Sequence, residues 1–131
     1  MSADTLLQAL SIVFQVDVLL AILLGAVYGL FIGALPGLTA TMSTALLVPV
    51  TFYMAPVPAI ALIVSSTAMA ISAGDMPGTL LRIPGTPASA AYTDESYQMT
   101  LKGKASTALS IGFFFSAMGG LVGATVLLVT G

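Results

Sequence analysis

Several residue types that carry protein chemistry are missing from this chain. Its 131 residues include no cysteine, no histidine and no tryptophan. Without thiols or imidazoles there is no disulfide, no thiolate nucleophile, no imidazole base and none of the usual nitrogen or sulfur ligands of zinc and haem iron. We therefore predict that the protein is not an enzyme and has no metal site of this kind.

Charged side chains are also scarce. Five acidic and three basic residues, 6% of the chain, give a net charge of −2, whereas soluble domains carry roughly 25% charged residues. Three basic residues cannot neutralise a row of phosphates, which excludes a nucleic-acid binder. Hydrophobic residues make up 58% of the sequence, which excludes disorder. The composition predicts an all-α integral membrane protein with several spans, or a part of one.

Apolar runs and the breaks between them divide the chain into segments. Three are long and apolar enough to cross a membrane, namely 18–35, 58–76 and 105–130. Residues 1–17 carry a modest apolar stripe, which predicts a helix lying in the membrane interface. The other segments are a broken span at 36–56, a re-entrant Pro/Gly segment at 77–91 and an exposed loop at 92–104. Lys102 and Lys104 make this loop the most basic connection, which places it in the cytoplasm by the positive-inside rule.

The first span has a small residue at every fourth position, in the order Ala21, Gly25, Gly29 and Gly33. Residues four apart lie on one face of a helix, and small side chains there let the backbone of another helix approach closely. The spacing therefore predicts a helix–helix interface.

Two apolar runs are broken by Pro-Gly, once at Leu35-Pro36-Gly37 and again at Ile83-Pro84-Gly85. A helix that restarts inside the membrane has unpaired N–H groups with partial positive charge at its first turn. Such a turn suits a carboxylate or phosphate without any basic side chain. Paired Gly/Pro interruptions indicate the substrate site of a secondary transporter, and two ordinary turns between spans are the alternative reading.

The candidate substrate-binding residues are those at the two breaks and the hydroxyl residues that follow: Pro36, Gly37, Thr39, Thr41, Ser43, Pro84, Gly85, Thr86 and Arg82. Asp75 and Arg82 are the only charges from 18 to 91, and charges at such depth are usually paired or functional. Asp75 is the candidate for a coupling cation, and Arg82 for attracting an anion or neutralising Asp75. The alternative places both at the interface, with Arg82 reaching out to water.

An ordered series of motifs connects this sequence to a known family. The series begins with the run from Leu20 to Thr41 and continues with these residues: Leu46-Leu47-Val48-Pro49, Thr51-Phe52, Ala73-Gly74, Leu80-Leu81, Ile83-Pro84-Gly85, Tyr97, Met99, Gly103, Lys104-Ala105 and Ala108-Leu109. In this order they resemble the start of the large permease subunit of tripartite tricarboxylate transporters, the TctA family.

The resemblance implies a multi-pass secondary transporter of the bacterial inner membrane, driven by an ion gradient, with Na⁺ or H⁺ as coupling ion and no other cofactor. It implies two protein partners, a small membrane subunit and a periplasmic solute-binding protein that delivers an organic carboxylate such as citrate. The large subunit of the family is several times longer than 131 residues and has two related halves. Residues 1–131 then correspond to the N-terminal part of a permease domain.

The sequence departs from the family pattern beside both breaks. Thr39-Ala40 stand in place of the usual Gly-Pro, Ala73-Gly74-Asp75 in place of Gly-Gly-Ser, Arg82 in place of Asn, and Glu95-Ser96-Tyr97 in place of Asp-Gly-Tyr. Two unusual charges therefore lie beside the expected site. A second class of function is also open, a small non-transporting assembly subunit that packs through its glycine faces, although it gives no reason for two Pro-Gly breaks.

Overall fold

The computed structural model describes residues 3–130, and their side chains from residue 7 onward. Every regular element in this range is helical, which confirms the all-α prediction. The elements are α1 (Ala3–Val13), α2 (Val16–Ala34), α3 (Ala40–Thr51), α4 (Pro56–Ala73), α5 (Asp75–Leu81), a 3₁₀ turn (Ser89–Ala91), α6 (Thr93–Leu101) and α7 (Ala105–Thr130). Three helical stretches are long and apolar enough to cross a membrane: Val16–Ala34, Pro56–Leu81 and Ala105–Thr130.

Helices α2 and α4 form the central pair and run parallel. Gly29 lies against Ser66, and Gly33, one turn further along α2, lies against Ala70, one turn further along α4. A Cβ atom at either glycine would overlap the carbonyl oxygen of its neighbour. The backbone of α4 occupies the space of the missing side chains, as in small-residue interfaces of membrane helices. The four-residue spacing therefore makes the predicted helix–helix interface.

Helix α3 brings the chain back between these two parallel helices. Ser43 on α3 lies beside Ser66, while Leu47 packs with Leu62, so α3 runs antiparallel to α4. At 12 residues it is about 18 Å long, shorter than the ~30 Å hydrocarbon core of a bilayer. Non-helical residues at both ends of α3 connect it to the end of α2 and to the start of α4.

Helix α4 continues almost directly into α5. Gly74 between them has near-helical dihedral angles (φ −61°, ψ −13°), and α5 then runs through the buried Pro77 to Leu81. The structure therefore extends the helix beyond residue 76, where the sequence analysis ended the second span. Pro77 is tolerated because it lies in the first turn of α5, where the N–H group that proline lacks is not needed.

Residues 92–104 differ from the exposed loop predicted for them, because they contain helix α6. The Thr100 hydroxyl donates to the Thr79 carbonyl at 2.7 Å, and the buried Thr93 donates to the Ser89 carbonyl at 2.7 Å. Short helices gain most of their stability from tertiary contacts, and these two bonds hold α6 to α5 and to the 3₁₀ turn. The polar composition that predicted a loop reflects the exposed face of this helix.

Helix α7 is the least covered element, since none of its 26 residues is buried. Its N-terminal half approaches α5, where Gly112 faces the carboxylate of Asp75. Large apolar side chains such as Phe115 and Leu127 are 65% and 72% exposed. Apolar exposure on this scale suits contact with lipid or with other membrane helices rather than with water.

Candidate functional site

Both Pro-Gly breaks lie at the same end of the α2–α4 pair. Pro36 follows the Gly33–Ala70 contact by three residues, and Gly74 follows it by four. Gly85 then packs directly on Gly74, where a Cβ atom would overlap the Gly74 carbonyl oxygen. The parallel arrangement of α2 and α4 thus brings two breaks that are distant in sequence to one end of the helix pair.

The first break leads into a capped helix. Gly37 has a positive φ of 93°, which glycine adopts without steric cost. The Thr39 hydroxyl accepts a hydrogen bond from the Met42 N–H at 3.3 Å and so caps α3. The exposed Pro36, Gly37 and Thr39 therefore surround the positive end of a helix, an arrangement that favours an anion.

The next two hydroxyl residues have different environments. Thr41 is exposed and lines a shallow cleft of about 490 Å³ on the surface of α3 and α4. Ser43 is fully buried, and its hydroxyl lies 3.0 Å from that of Ser66. Its carbonyl oxygen also accepts a 3.4 Å hydrogen bond from the Tyr28 phenol. Thr41 is open to a ligand, whereas the Ser43 hydroxyl is used in helix packing.

Thr86 and Ser89 stabilise the second break by a reciprocal pair of hydrogen bonds. The Thr86 N–H donates to the Ser89 hydroxyl at 3.0 Å, and the Ser89 N–H donates to the Thr86 hydroxyl at 3.1 Å. The pattern resembles a capping box, in which two side chains satisfy each other's free backbone donors. Thr86 and Gly85 are half-buried and Pro84 is exposed. The Thr86-x-x-Ser89 spacing could have revealed this pair in the sequence.

Asp75 and Arg82 have separate partners, which corrects the idea that Arg82 neutralises Asp75. Asp75 opens α5 and Arg82 ends it, in a left-handed conformation with φ 59°. The Tyr92 phenol donates to Asp75 Oδ1 at 2.6 Å, and Arg82 Nε donates to Asp94 Oδ1 at 2.8 Å. Both partners come from the start of α6, where the sequence analysis predicted a loop and named no site residue.

These two contacts affect proton affinity differently. Hydrogen bonding and charge attraction from Asp94 raise the pKa of Arg82, but both side chains of this ion pair are more than 60% exposed, so its stabilising effect is small. Partial burial of the phenol, followed by its hydrogen bond to Asp75 and the charge of that residue, raises the pKa of Tyr92 to about 12. At neutral pH the Tyr92 phenol is protonated and serves as a donor.

A cavity of about 510 Å³ lies beside Asp75, between α5, α6 and α7. Two carboxylates line it, those of Asp75 and Glu95, and no basic side chain does. The rest of its wall is made by Thr79, Tyr92, Ser96, Met99, Ala108, Ile111, Gly112, Phe115 and Ser116. Its charge suits a cation rather than a carboxylate. Within the described part of the chain, no three His, Cys, Asp or Glu residues are grouped so that they could hold a metal ion.

Comparison with known proteins adds evidence to this geometry. Residues 19–131 match the family model described as the tripartite tricarboxylate transporter TctA family. The chain belongs to the TctA family. This TctA-family chain is also 35% identical over 104 residues to a protein of Agrobacterium vitis described as an uncharacterized 52.8 kDa protein in the TAR-I ttuC' 3' region.

The alignment with the Agrobacterium vitis relative covers 79% of this chain but 20% of that protein. The TctA-family chain therefore spans about a fifth of the relative's length. No solved structure gives a significant match to the TctA-family chain. The match to the family model confirms the resemblance that the motifs predicted.

Proposed function

We propose that this chain is the N-terminal part of the permease domain of a binding-protein-dependent secondary transporter, which imports a tricarboxylate or a related organic acid across the bacterial inner membrane. Membership of a tricarboxylate transporter family supports the transport role, and three apolar helices support the membrane location. The observation that carries the proposal is the position of both Pro-Gly breaks at one end of the α2–α4 pair. Secondary transporters bind substrate between broken helices of this kind.

In this proposal a substrate carboxylate binds at the start of α3. The exposed Pro36-Gly37 turn leads to N–H groups that can donate to an anion. Thr39 stabilises this turn as the helix cap. The Thr41 side chain is exposed, so its hydroxyl is accessible to a substrate. Ser43 contributes by holding α3 against α4 through its buried bond to Ser66.

The second break supports the same site from the end of α4. Gly85 packs on Gly74 and Thr86 is held by Ser89, so this segment has a defined shape beside the end of the α2–α4 pair. Arg82 is exposed and would attract an anion at long range, with its charge partly offset by Asp94. Backbone donors at the first break, rather than Arg82, are therefore the proposed main contacts, with the second break as their support.

Asp75 is the proposed site of the coupling cation, either Na⁺ or H⁺. One carboxylate oxygen accepts from Tyr92, and the other lies toward Gly112 of α7. A cation held there would link α5 to α7, so its binding could bias an alternating-access movement of these helices. The acidic lining of the adjacent cavity supports this role.

Two further proteins complete the proposed transporter: a small membrane subunit and a periplasmic solute-binding protein that delivers the carboxylate. The family description supports a multi-component system in general. The uncovered α7 leaves a large apolar surface on which other membrane helices of the assembly could pack.

The proposal is tested by Thr41→Val in cells that express the chain with the rest of the transporter. Valine keeps the shape of threonine and removes its exposed hydroxyl, so we expect KM for a labelled tricarboxylate to rise about five-fold, the effect of one hydrogen bond of ~1 kcal/mol. Thr125→Val removes a hydroxyl of α7 that bonds its own helix and serves as the matched control. Unchanged kinetics in Thr41→Val would remove Thr41 from the site.

Cation coupling is tested separately with Asp75→Asn. Uptake is measured with sodium present, with sodium replaced by an organic cation, and over a range of pH. We expect the dependence on one of these cations to be lost in Asp75→Asn while carboxylate binding is kept. An Asp75→Asn variant with the wild-type cation dependence would exclude Asp75 as the coupling residue.

The second candidate, a non-transporting assembly subunit, is favoured by one observation. Gly119, Gly120 and Gly123 on α7 have no other atoms where a side chain would be, which leaves a small-residue face open for a partner helix. The uptake experiment separates the candidates. An assembly subunit would leave KM unchanged when Thr41 is substituted, whereas a permease would change KM at constant abundance of the complex.

A further inference from the structure

A second cavity lies among α2, α3 and α4, near the beginning of α2, and has a volume of about 560 Å³. The core cluster of Ala21, Leu47 and Leu62 contributes to its lining. The exposed Leu24 and the half-exposed Val50 also line it, from α2 and α3. We call this cavity the α2–α3 groove. It does not include the candidate substrate residues or Asp75.

The length of the α2–α3 groove fits an acyl chain of one membrane leaflet. Its lining extends along α2 from Asp17 to Tyr28, a rise of about 16 Å at 1.5 Å per residue. This length is close to half of the ~30 Å hydrocarbon core, which is one leaflet.

The α2–α3 groove has one charged residue in its lining, and this residue lies at one end. Asp17 is the second residue of α2, so it lies where the apolar span begins and lipid headgroups are found. The other lining residues are apolar except for Tyr28, whose hydroxyl is directed to the Ser43 carbonyl. A carboxylate in this place attracts the ammonium group of a zwitterionic headgroup and repels a headgroup with a net negative charge.

We propose that the α2–α3 groove binds one membrane lipid with a primary ammonium headgroup, such as phosphatidylethanolamine. Its acyl chain lies along Ala21, Leu47 and Leu62, and its ammonium group pairs with the Asp17 carboxylate. The lipid fills the space that α3 leaves open by packing more closely on α4 than on α2. The proposal needs the chain to lie in a membrane but does not depend on the substrate or coupling ion proposed above.

The test uses the full chain in lipid nanodiscs that contain phosphatidylethanolamine and phosphatidylglycerol with identical acyl chains, followed by native mass spectrometry of the lipids it retains. We expect the chain to retain phosphatidylethanolamine about two- to five-fold over phosphatidylglycerol, the preference that an exposed ion pair provides. Asp17→Asn should abolish this preference. Asp94→Asn, the same change at an exposed carboxylate that lines neither cavity, should leave it unchanged.

A second variant tests occupation of the α2–α3 groove itself. Val50→Trp places a large side chain in the groove from its half-exposed wall and should reduce retention of both lipids. Equal retention of the two lipids by the unmodified chain, or an unchanged preference in Asp17→Asn, overturns the headgroup assignment. If Val50→Trp retains as much lipid as the unmodified chain, the groove does not hold the lipid. If the unmodified chain is a dimer and Val50→Trp dissociates it, a second copy of the chain occupies the groove instead. Asp17→Asn alters an exposed residue, so the test stands even if Val50→Trp fails to fold.

Discussion

The Tyr92 phenol donates a 2.6 Å hydrogen bond to the carboxylate of Asp75. This bond ties the residue before α6 to the first residue of α5, and the Arg82–Asp94 ion pair ties the same two helices at the other end of α5. Asp75 and Arg82 stand where the family usually has neutral residues. Each has its own partner at the start of α6, so these charges form two clamps on the second Pro-Gly segment rather than one internal pair.

The Tyr92 clamp predicts an unusual titration. We expect Tyr92 to ionise with a pKa of about 12, above the ordinary tyrosine value of about 10. Because the folded state raises this pKa, the clamp contributes its full stability below pH ~10 and loses it as the pH rises through ~12. The measurement is tyrosinate absorbance in a chain with phenylalanine at Tyr28, Tyr53 and Tyr97. Asp75→Asn should lower the pKa, and an unchanged titration there would contradict the clamp.

Substitution of Gly29 tests how closely α2 and α4 pack. Gly29→Ala places a Cβ atom on the Ser66 carbonyl oxygen, and overpacking of this kind costs roughly 1–3 kcal/mol. We expect the free energy of unfolding, measured by denaturant titration in mixed micelles with circular dichroism, to fall by about that amount. Gly123→Ala on α7 meets no atom within 4 Å and should be neutral or slightly stabilising through its helix propensity. Equal effects at the two sites would argue against close α2–α4 packing.

The Ser43–Ser66 contact predicts a coupling between α3 and α4. Both side chains are fully buried and their hydroxyls lie 3.0 Å apart. A double-mutant cycle of Ser43→Ala and Ser66→Ala should give a coupling of about 0.6 kcal/mol, the usual value for interhelical hydrogen bonds in membranes. Ser110→Ala, which removes a hydroxyl bonded within exposed α7, should show no coupling to Ser66→Ala. Additive effects of the Ser43 and Ser66 substitutions would contradict the bond.

The backbone conformation of Arg82 predicts that two substitutions, which both remove its charge, differ in thermal stability. Its φ of 59° is left-handed, a conformation that glycine adopts without penalty and alanine does not. Arg82→Gly should therefore unfold at a higher temperature than Arg82→Ala, by roughly a few degrees. Asp94→Asn, measured beside them, isolates the exposed ion pair and should have little effect. A Gly variant no more stable than the Ala variant would exclude strain at this position.

The left-handed conformation accounts for the asparagine that the family resemblance implies at position 82. Asparagine, which the family usually has where Arg82 stands, is among the residues that best tolerate positive φ. Arginine occupies the same backbone conformation here and gains a hydrogen bond to Asp94. The sequence showed the substitution, but the backbone angle and the partner became visible only in the fold.

Local patterns were sufficient for much of the architecture. The near absence of charge determined that the protein is an all-α membrane chain, because helices satisfy their own backbone groups in lipid. The spacing of Ala21, Gly25, Gly29 and Gly33 identified the face that packs on α4. The Pro-Gly motifs marked the two breaks and carried the family resemblance, because each depends on residues close together in the chain.

Only the tertiary structure showed which distant segments and side chains are in contact. Whether α2 and α4 run parallel depends on the return of the chain through α3, so the meeting of both breaks at one end was not visible in the sequence. The partners of Asp75 and Arg82 come from α6, a short polar helix with the composition of a loop, which forms because Thr93 and Thr100 bond outside it. Local composition determines which segments enter the membrane, whereas contacts between distant segments determine which side chains meet there.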